Sequence, residues 1–334
     1  MSTKNGRYLI VGGYGLVGSH IADRLLATGA AEVTLFDSGA IGSAETVRHL
    51  VSDPRVRLVR GDVLRIEDLM DGAVGMDGIF HTAAFITLPL SQRPVVGMDV
   101  NVRGLVNTLE ACRWRGVKKI VYSSSIAAYG NQTTGLVTEA APYFGAGVQP
   151  ASALYGIAKL MGEQLCALYA QKHGLAWMAL RLSTVYGERQ HARGLNVVPI
   201  VESHERIRQG LAPVIPGDGD EVHDYVYAGD VARAQVLAMH SPASGEVITI
   251  ATGMPASFNQ VIGLVLKACG SSLKAEHASD AGRLKSAGAT INRFSIDKAA
   301  TVLGWTPEVG LEEGIRRLVA WLDGARAAAA ATPR

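Results

Sequence analysis

Tyr155 and Lys159 lie four residues apart, a spacing that puts both side chains on one face of a helix. The apolar series Leu154, Ile157, Ala158, Leu160, Met161, Leu165 and Leu168 predicts that helix. A tyrosine with an ordinary pKa near ~10 is a poor base at neutral pH. A lysine ammonium one turn away, together with an oxidised nicotinamide, stabilises the phenolate and brings its pKa toward the working range. Ser125 closes the run Ser123-Ser124-Ser125 after an apolar stretch. From the end of a strand, its hydroxyl can bond the substrate oxygen whose proton Tyr155 takes. The chemistry this predicts is oxidation of a secondary alcohol. Tyr-x-x-x-Lys is common by chance and a serine run is often a turn, so the reading needs a cofactor site upstream.

The elements that position such a site begin at the N-terminus. Tyr8-Leu9-Ile10-Val11 reads as a buried strand, followed by Gly12-Gly13-Tyr14-Gly15-Leu16-Val17-Gly18. Val17, Ile21, Leu25 and Leu26 then recur at helical spacing up to Gly29, which suits a C-cap. Glycines on a strand-to-helix turn let the backbone approach a pyrophosphate at the positive end of the helix. Gly12, Gly15, Leu16, Val17 and Gly18 are therefore candidate cofactor-binding residues. The next strand, Glu32-Val33-Thr34-Leu35-Phe36-Asp37, ends in an acid that can accept from ribose hydroxyls and would repel a 2′-phosphate. Ser38 and Gly39 follow without an arginine, so NAD is favoured over NADP.

Strand and helix patterns alternate through about residue 185, with strands expected at Val56–Val63, Ile79–Ala84, Lys119–Ser125 and Met178–Leu182. This predicts an α/β fold: a Rossmann-type doubly wound parallel sheet with a smaller C-terminal substrate lobe. Residues 1–185 are assigned to the NAD-binding domain, with 224–252 returning to it. Residues 186–223 and 253–324 are assigned to the substrate lobe, and 325–334 to a frayed tail. Over 334 residues the formal net charge is only +2, which gives no electrostatic case for nucleic acid or membrane. Cys112, Cys166 and Cys269 lack metal-ligand spacing and read as buried thiols in a reducing, cytoplasmic compartment. No signal-peptide-like or membrane-spanning run is present in the sequence. The nine histidines form no His-Glu-x-x-His cluster, so no metal is expected.

The chain resembles the NAD-dependent epimerase/dehydratase family of extended short-chain dehydrogenases/reductases. The resemblance spans nearly its whole length and rests on several segments. They are Gly12-x-x-Gly15-x-x-Gly18, Gly61-Asp62-Val63, His81-Thr82-Ala83-Ala84, Asn101-Val102-x-Gly104, Tyr122-Ser123-Ser124-Ser125, Tyr129-Gly130, Tyr155-x-x-x-Lys159, Val185-Tyr186-Gly187, Asp224-Tyr225-Val226-Tyr227 and Leu303-Gly304-Trp305-x-Pro307. It implies Ser125, Tyr155 and Lys159 as catalytic residues, with Tyr155 and Lys159 also touching NAD. It further implies Asp62 and Val63 at the adenine, Ala83 lining the cofactor cleft, Asn101 supporting the central helix, and a homodimer built on the helices of Asn101 and Tyr155.

Departures from the family pattern bear on the substrate. Relatives that bind nucleotide-sugars hold the diphosphate with an arginine where this chain has His223. A second arginine expected near Ala287-Gly288-Ala289-Thr290 is missing, although Asp297-Lys298-Ala299 follows, and a frequent asparagine is replaced by Thr184. Arg189, Arg193 and Arg283 are candidates to replace the lost charge. Ile126 and Ala127 stand where dehydratases of this family place acids, which argues against dehydration, and against decarboxylation for the same reason. The stretch from Ser124 to Gly130 also resembles the extended threonine dehydrogenases, without their glycine/threonine-rich substrate segment. His81 is expected near the cofactor or packed at its strand end. Thr87, Thr184, His191, Asn196 and His223 are the substrate candidates; for His191 and Asn196 a solvated loop is the alternative, and for His223 a turn. Three functions remain open. The first is a dehydrogenase acting on a sugar, sugar acid or similar polar small molecule. The second is a UDP-hexose 4-epimerase with tightly bound NAD, and the third a non-catalytic NAD-binding regulator.

Overall fold

A computed structural model of the chain describes residues 5–132, 135–190, 194–286 and 293–331. The first half alternates as the apolar pattern predicts. It runs β1 (Arg7–Val11), α1 (Leu16–Ala27), β2 (Glu32–Asp37), β3 (Val56–Arg60), α2 (Ile66–Gly72), β4 (Gly78–His81), α3 (Thr87–Gln92), α4 (Pro94–Met98), α5 (Gly104–Arg115), β5 (Lys119–Ser125), β6 (Leu136–Val137), α6 (Pro150–His173) and β7 (Ala176–Leu182). The second half contributes β8 (Thr184–Tyr186), α7 (Val198–Arg208), β9 (Val214–Pro216), β10 (Val222–His223), β11 (Tyr225–Tyr227), α8 (Ala228–His240), β12 (Glu246–Ile250), β13 (Ala256–Ser257), α9 (Phe258–Ala268), β14 (Glu276–Ala278), β15 (Arg293–Phe294), α10 (Asp297–Leu303) and α11 (Leu311–Ala331).

The main sheet is parallel, seven-stranded among the described residues, and ordered β12-β7-β5-β4-β1-β2-β3. Alternation along β1 shows why its sequence reads as one apolar run. Tyr8 and Ile10 enter the core shared with α1 and α8, whereas Leu9 and Val11 enter the core shared with α2, α5 and α6. A third core joins Tyr186, Ile200, Tyr225, Val261, Ile315 and Leu318 from the later elements. Trp305, fully buried, donates its indole N–H to the Asp230 carbonyl at 2.9 Å. The Asp230 carboxylate in turn accepts from Glu308 N and Val309 N at 3.0 and 2.9 Å, which clamps the Leu303–Pro307 motif onto α8.

Several sequence boundaries move. β3 stops at Arg60 and β4 at His81, because the residues beyond them turn away to wall the cleft. α1 ends at its cap Thr28, and Gly29 closes it as expected: with φ +90° it turns the chain so that its own N–H bonds the Leu26 carbonyl and Ala30 N–H bonds the Leu25 carbonyl. The helix α11 continues through Ala331, so the frayed tail placed at residues 325–334 is helical over most of its length, as its alanine content favours. Cys112 and Cys166 are buried, whereas Cys269 is only half-buried.

Candidate active site

Two adjoining cavities, of about 310 and 270 Å³, open beyond the carboxyl ends of the parallel strands. Gly12 and Gly15 belong to both. The smaller is walled by Asp37, Asp62, Val63 and Ala83. The larger is walled by Leu16, Val17, Gly18, Thr87, Ser125, Tyr155, Lys159, Thr184, Asn196 and His223. His191, Arg193 and the Ala287–Thr290 stretch fall outside the described residues.

The smaller cavity and the turn beside it fit a dinucleotide. α1 begins after Gly15 with no side-chain cap, so its first-turn N–H groups are left for a ligand. A Cβ on Gly18 would lie 2.3 Å from the Gly12 carbonyl oxygen, so only glycine lets helix and turn approach this closely. Thr82 pins the end of β4 to that turn, donating to the carbonyls of Val11 and Gly12 at 2.9 and 3.1 Å. Asp37 accepts from Tyr14 N at 3.1 Å and Gly39 N at 2.9 Å, which fixes its carboxylate at the strand end. Asp62 accepts from Leu64 N at 2.9 Å, and the Val63 carbonyl accepts from Asn107 at 2.8 Å. One feature is missing from the linear sequence: the β2–β3 register pairs Asp37 with Arg60. An arginine thus stands across from the acid, where the two residues after Asp37 supply none.

The catalytic candidates are assembled from two elements. β5 ends at Ser125, whose Oγ accepts from Ala127 N at 3.1 Å and caps the 3-10 turn Ile126–Tyr129. α6 lies against that turn. A Cβ on Gly156 would sit 2.3 Å from the Ala127 carbonyl oxygen, so the glycine between Tyr155 and Lys159 permits the contact. Lys159 donates Nζ–H to the Ser123 carbonyl at 2.8 Å and lies 5.6 Å from the Tyr155 ring centroid. Burial raises the Tyr155 pKa to about 12, although a hydrogen bond with Ser125 pulls it down. Burial lowers Lys159 to about 7, opposed by the charge of Glu163. In the protein by itself, burial is the dominant influence on the phenol; the expected fall toward the working range calls for the oxidised cofactor as well as the lysine.

His81 is not a base. It is buried, its Nδ1 pairs with Thr108 Oγ1 at 3.1 Å, and burial first and Lys159 second push its pKa down to about 3. Asn101 accepts from Phe85 N at 2.8 Å and donates to Phe85 O at 2.9 Å, tying the segment before α5 to the cleft wall. On the substrate side, Asn196 donates to Thr184 Oγ1 at 3.3 Å and Ser286 Oγ at 3.0 Å, which joins three separate segments. His223 pairs with Glu221 at 2.8 Å and packs edge-on against Phe258. Sequence reasoning missed Ser286 in this wall, and Asp224, quoted only as part of the Asp224–Tyr227 segment, was given no place in it. Asp224 is buried and accepts from Ser183 Oγ, Thr252 N and Gly253 N, so it braces the wall.

Residues 8–251 match the family model described as NAD dependent epimerase/dehydratase family. The chain belongs to that family. It is an NAD-dependent enzyme of the extended short-chain dehydrogenase/reductase type. A UDP-glucose 4-epimerase of Mycolicibacterium smegmatis is 32% identical over 319 residues, covering 94% of this chain and 97% of that protein. The crystal structure of UDP-glucose 4-epimerase from Thermus thermophilus in complex with NAD is 32% identical, with a TM-score of 0.82, over 96% of this chain and 99% of that one. The UDP-glucose 4-epimerase of Thermotoga maritima, solved with UDP-glucose, is 28% identical with a TM-score of 0.83, covering 96% and 99%. No helix among the described residues of this family member is long and apolar enough to cross a membrane, and the described residues contain no group of potential metal ligands.

Asp37 gives a direct test of cofactor choice. Wild-type protein should bind NAD more tightly than NADP in calorimetric titrations. Asp37→Ala should narrow the ratio about tenfold, since a like charge facing the 2′-phosphate is removed while Arg60 stays. Equal affinities in the wild type would contradict this assignment.

Proposed function

We propose that this enzyme oxidises a secondary alcohol of a sugar, sugar acid or similar polar small molecule, with Ser125, Tyr155 and Lys159 as its catalytic residues. NAD, held by the glycine turn and Asp37, would supply the hydride acceptor and a positive charge to the site. Ser125 hydrogen-bonds the reacting hydroxyl and sets its distance from Tyr155. Tyr155 takes the hydroxyl proton onto its Oη. Lys159 holds positive charge in the same desolvated region and favours the phenolate. Thr87, Thr184, Asn196 and His223, which line the larger cavity, would contact the remainder of the substrate.

The observation that carries the substrate reading is the charge of the larger cavity. Among the described residues, Lys159 is the sole lysine or arginine in its wall. Of the three candidates to replace the family's arginines, the two among the described residues are engaged elsewhere. Arg189 pairs with Asp23 of α1 at 2.7 Å, and Arg283 is paired with Glu221. A diphosphate deprived of a charge-assisted hydrogen bond forfeits roughly 1.5–3 kcal/mol per bond. The relatives named as UDP-glucose 4-epimerases favour a second reading, in which the hydride is returned to the other face of a UDP-hexose. A thermal-shift screen with NAD present separates the two. Sugar acids or polyols should stabilise the protein more than UDP-glucose or UDP-galactose and should yield NADH. Strong stabilisation by a UDP-hexose, with interconversion of the two hexoses, would establish the epimerase instead.

A homodimer through α5 and α6 is part of the proposal. Leu154, Ile157, Met161 and Leu168 form a stripe on α6 that is about 40% exposed, and Trp114 on α5 is 62% exposed. A cytoplasmic location is proposed from the three free cysteines.

A further inference from the structure

Pro94 decides where Arg93 stands. A residue before proline is pushed out of the helical region, and Arg93 accordingly has φ −138° and ψ 67°, ending α3 and opening α4. Its backbone is held on both sides of this break. The N–H donates to the Pro89 carbonyl at 3.0 Å, and the carbonyl accepts from Gly97 N at 2.9 Å. Arg93 is exposed, and its guanidinium has no hydrogen-bond or ion-pair partner among the described residues. The next acid along the chain, Asp99, is taken by Arg103 at 2.7 Å. Arg93, Val96 and Val100 recur at intervals of three and four, and all three line the smaller cavity, so one face of this segment forms part of its wall.

That cavity is poor in positive charge. Its wall carries the carboxylates of Asp37 and Asp62, and among the described residues Arg93 is its sole lysine or arginine. Arg60, set across from Asp37 by the sheet register, is not part of the wall. The glycine turn suited to a pyrophosphate lines the same cavity through Gly12 and Gly15. A pyrophosphate brings two negative charges, whereas a helix N-terminus offers only about half a positive charge. The two carboxylates add to that deficit. Lys159 belongs to the larger cavity and donates to the Ser123 carbonyl. A guanidinium presents a fork of donors that matches phosphate oxygens.

We propose that Arg93 is a cofactor-binding residue: its guanidinium is the positive charge that the smaller cavity supplies to the phosphates of NAD. This rests on the placing of NAD at the glycine turn and Asp37. The backbone on either side of Arg93 is already fixed by the Pro94 break, so binding has to order only the side chain.

The test is calorimetric titration of the full chain with NAD at low ionic strength. Arg93→Gln should raise the Kd for NAD about tenfold. Arg93→Glu should weaken binding further, because it turns an attraction for the phosphates into a repulsion. Arg93→Lys should restore most of the affinity, since it keeps the charge; a side chain that only packed on the adenine would gain nothing from lysine over glutamine. The gap between wild type and Arg93→Gln should narrow at high salt, where an exposed charge is screened. Melting temperatures of the variants measured without NAD should match the wild type, because the guanidinium holds no other part of the fold among the described residues. Equal NAD affinity in wild type and Arg93→Gln would overturn the proposal, as would Arg93→Lys binding as weakly as Arg93→Gln. Failure of the wild type itself to bind NAD would strike the cofactor placement, so the two failures are distinguishable.

Discussion

Tyr155→Phe leaves a folded protein that binds NAD and has lost hydride transfer by about a thousandfold or more. Positioned general-base catalysis is worth roughly 10²–10⁴-fold, and among the described residues no second base stands ready to replace the phenol. His81 is buried behind the site and neutral, held at Thr108. Lys159 donates to a backbone carbonyl. Asp224 is occupied by a hydroxyl and two backbone N–H groups. The substitution removes one oxygen and keeps the ring, so packing and most cofactor affinity persist. Single-turnover formation of NADH from whichever sugar acid, polyol or UDP-hexose the thermal screen selects is the measurement. Near-normal turnover in the variant would reject the mechanism. Below the phenol midpoint, raised by burial to about 12, the wild-type rate should increase with pH as the phenolate fraction grows. That increase should be absent from any residual activity of the variant.

Gly156→Ala is expected to lower both stability and activity, against what helix propensity predicts. In the interior of α6, alanine should gain about 1 kcal/mol over glycine. Here the added Cβ would meet the Ala127 carbonyl oxygen at 2.3 Å and its carbon at 3.0 Å. Those atoms are backbone and cannot rotate away, so α6 and the turn Ile126–Tyr129 must separate. Overpacking of this kind costs typically about 1–3 kcal/mol. The movement also parts Ser125, which caps that turn, from Tyr155, which precedes the glycine. A displacement near 1 Å can cost about a hundredfold in rate. Thermal denaturation and the same single-turnover assay check both effects. A variant with a higher melting temperature and unchanged rate would show that the close approach is not needed.

The cofactor half of the site was largely legible in the sequence. Gly12, Gly15 and Gly18 on a strand-to-helix turn, and an acid at the end of the next strand, are local patterns. Their meaning depends on residues within one βαβ unit, where spacing in the chain translates directly into spacing in the fold. The same holds for Tyr155 and Lys159, whose four-residue separation fixes their common face on α6. Spacing could not supply the environment. The desolvation that raises Tyr155 and lowers Lys159 comes from the elements packed on α6, among them β5, β7 and the turn Ile126–Tyr129. The Asp37–Arg60 pairing is likewise set by sheet register, and nothing in the run after Asp37 announces it.

The substrate side shows the limit most clearly. Arg189, Arg193 and Arg283 were equally eligible in the sequence to hold an anion. Tertiary packing commits Arg189 to Asp23 and Arg283 to Glu221, because a partly buried guanidinium is stable only where a carboxylate meets it. Ser286 and Asn196 meet across 90 residues of chain, and Glu163 meets Arg181 and Ser124 across a strand pair. Each of these contacts is made by side chains whose own neighbours in sequence carry no trace of it. The chain by itself therefore determined the chemistry that the short motifs encode. Which charges face the substrate, and which are spent in holding the fold, only the folded structure could decide.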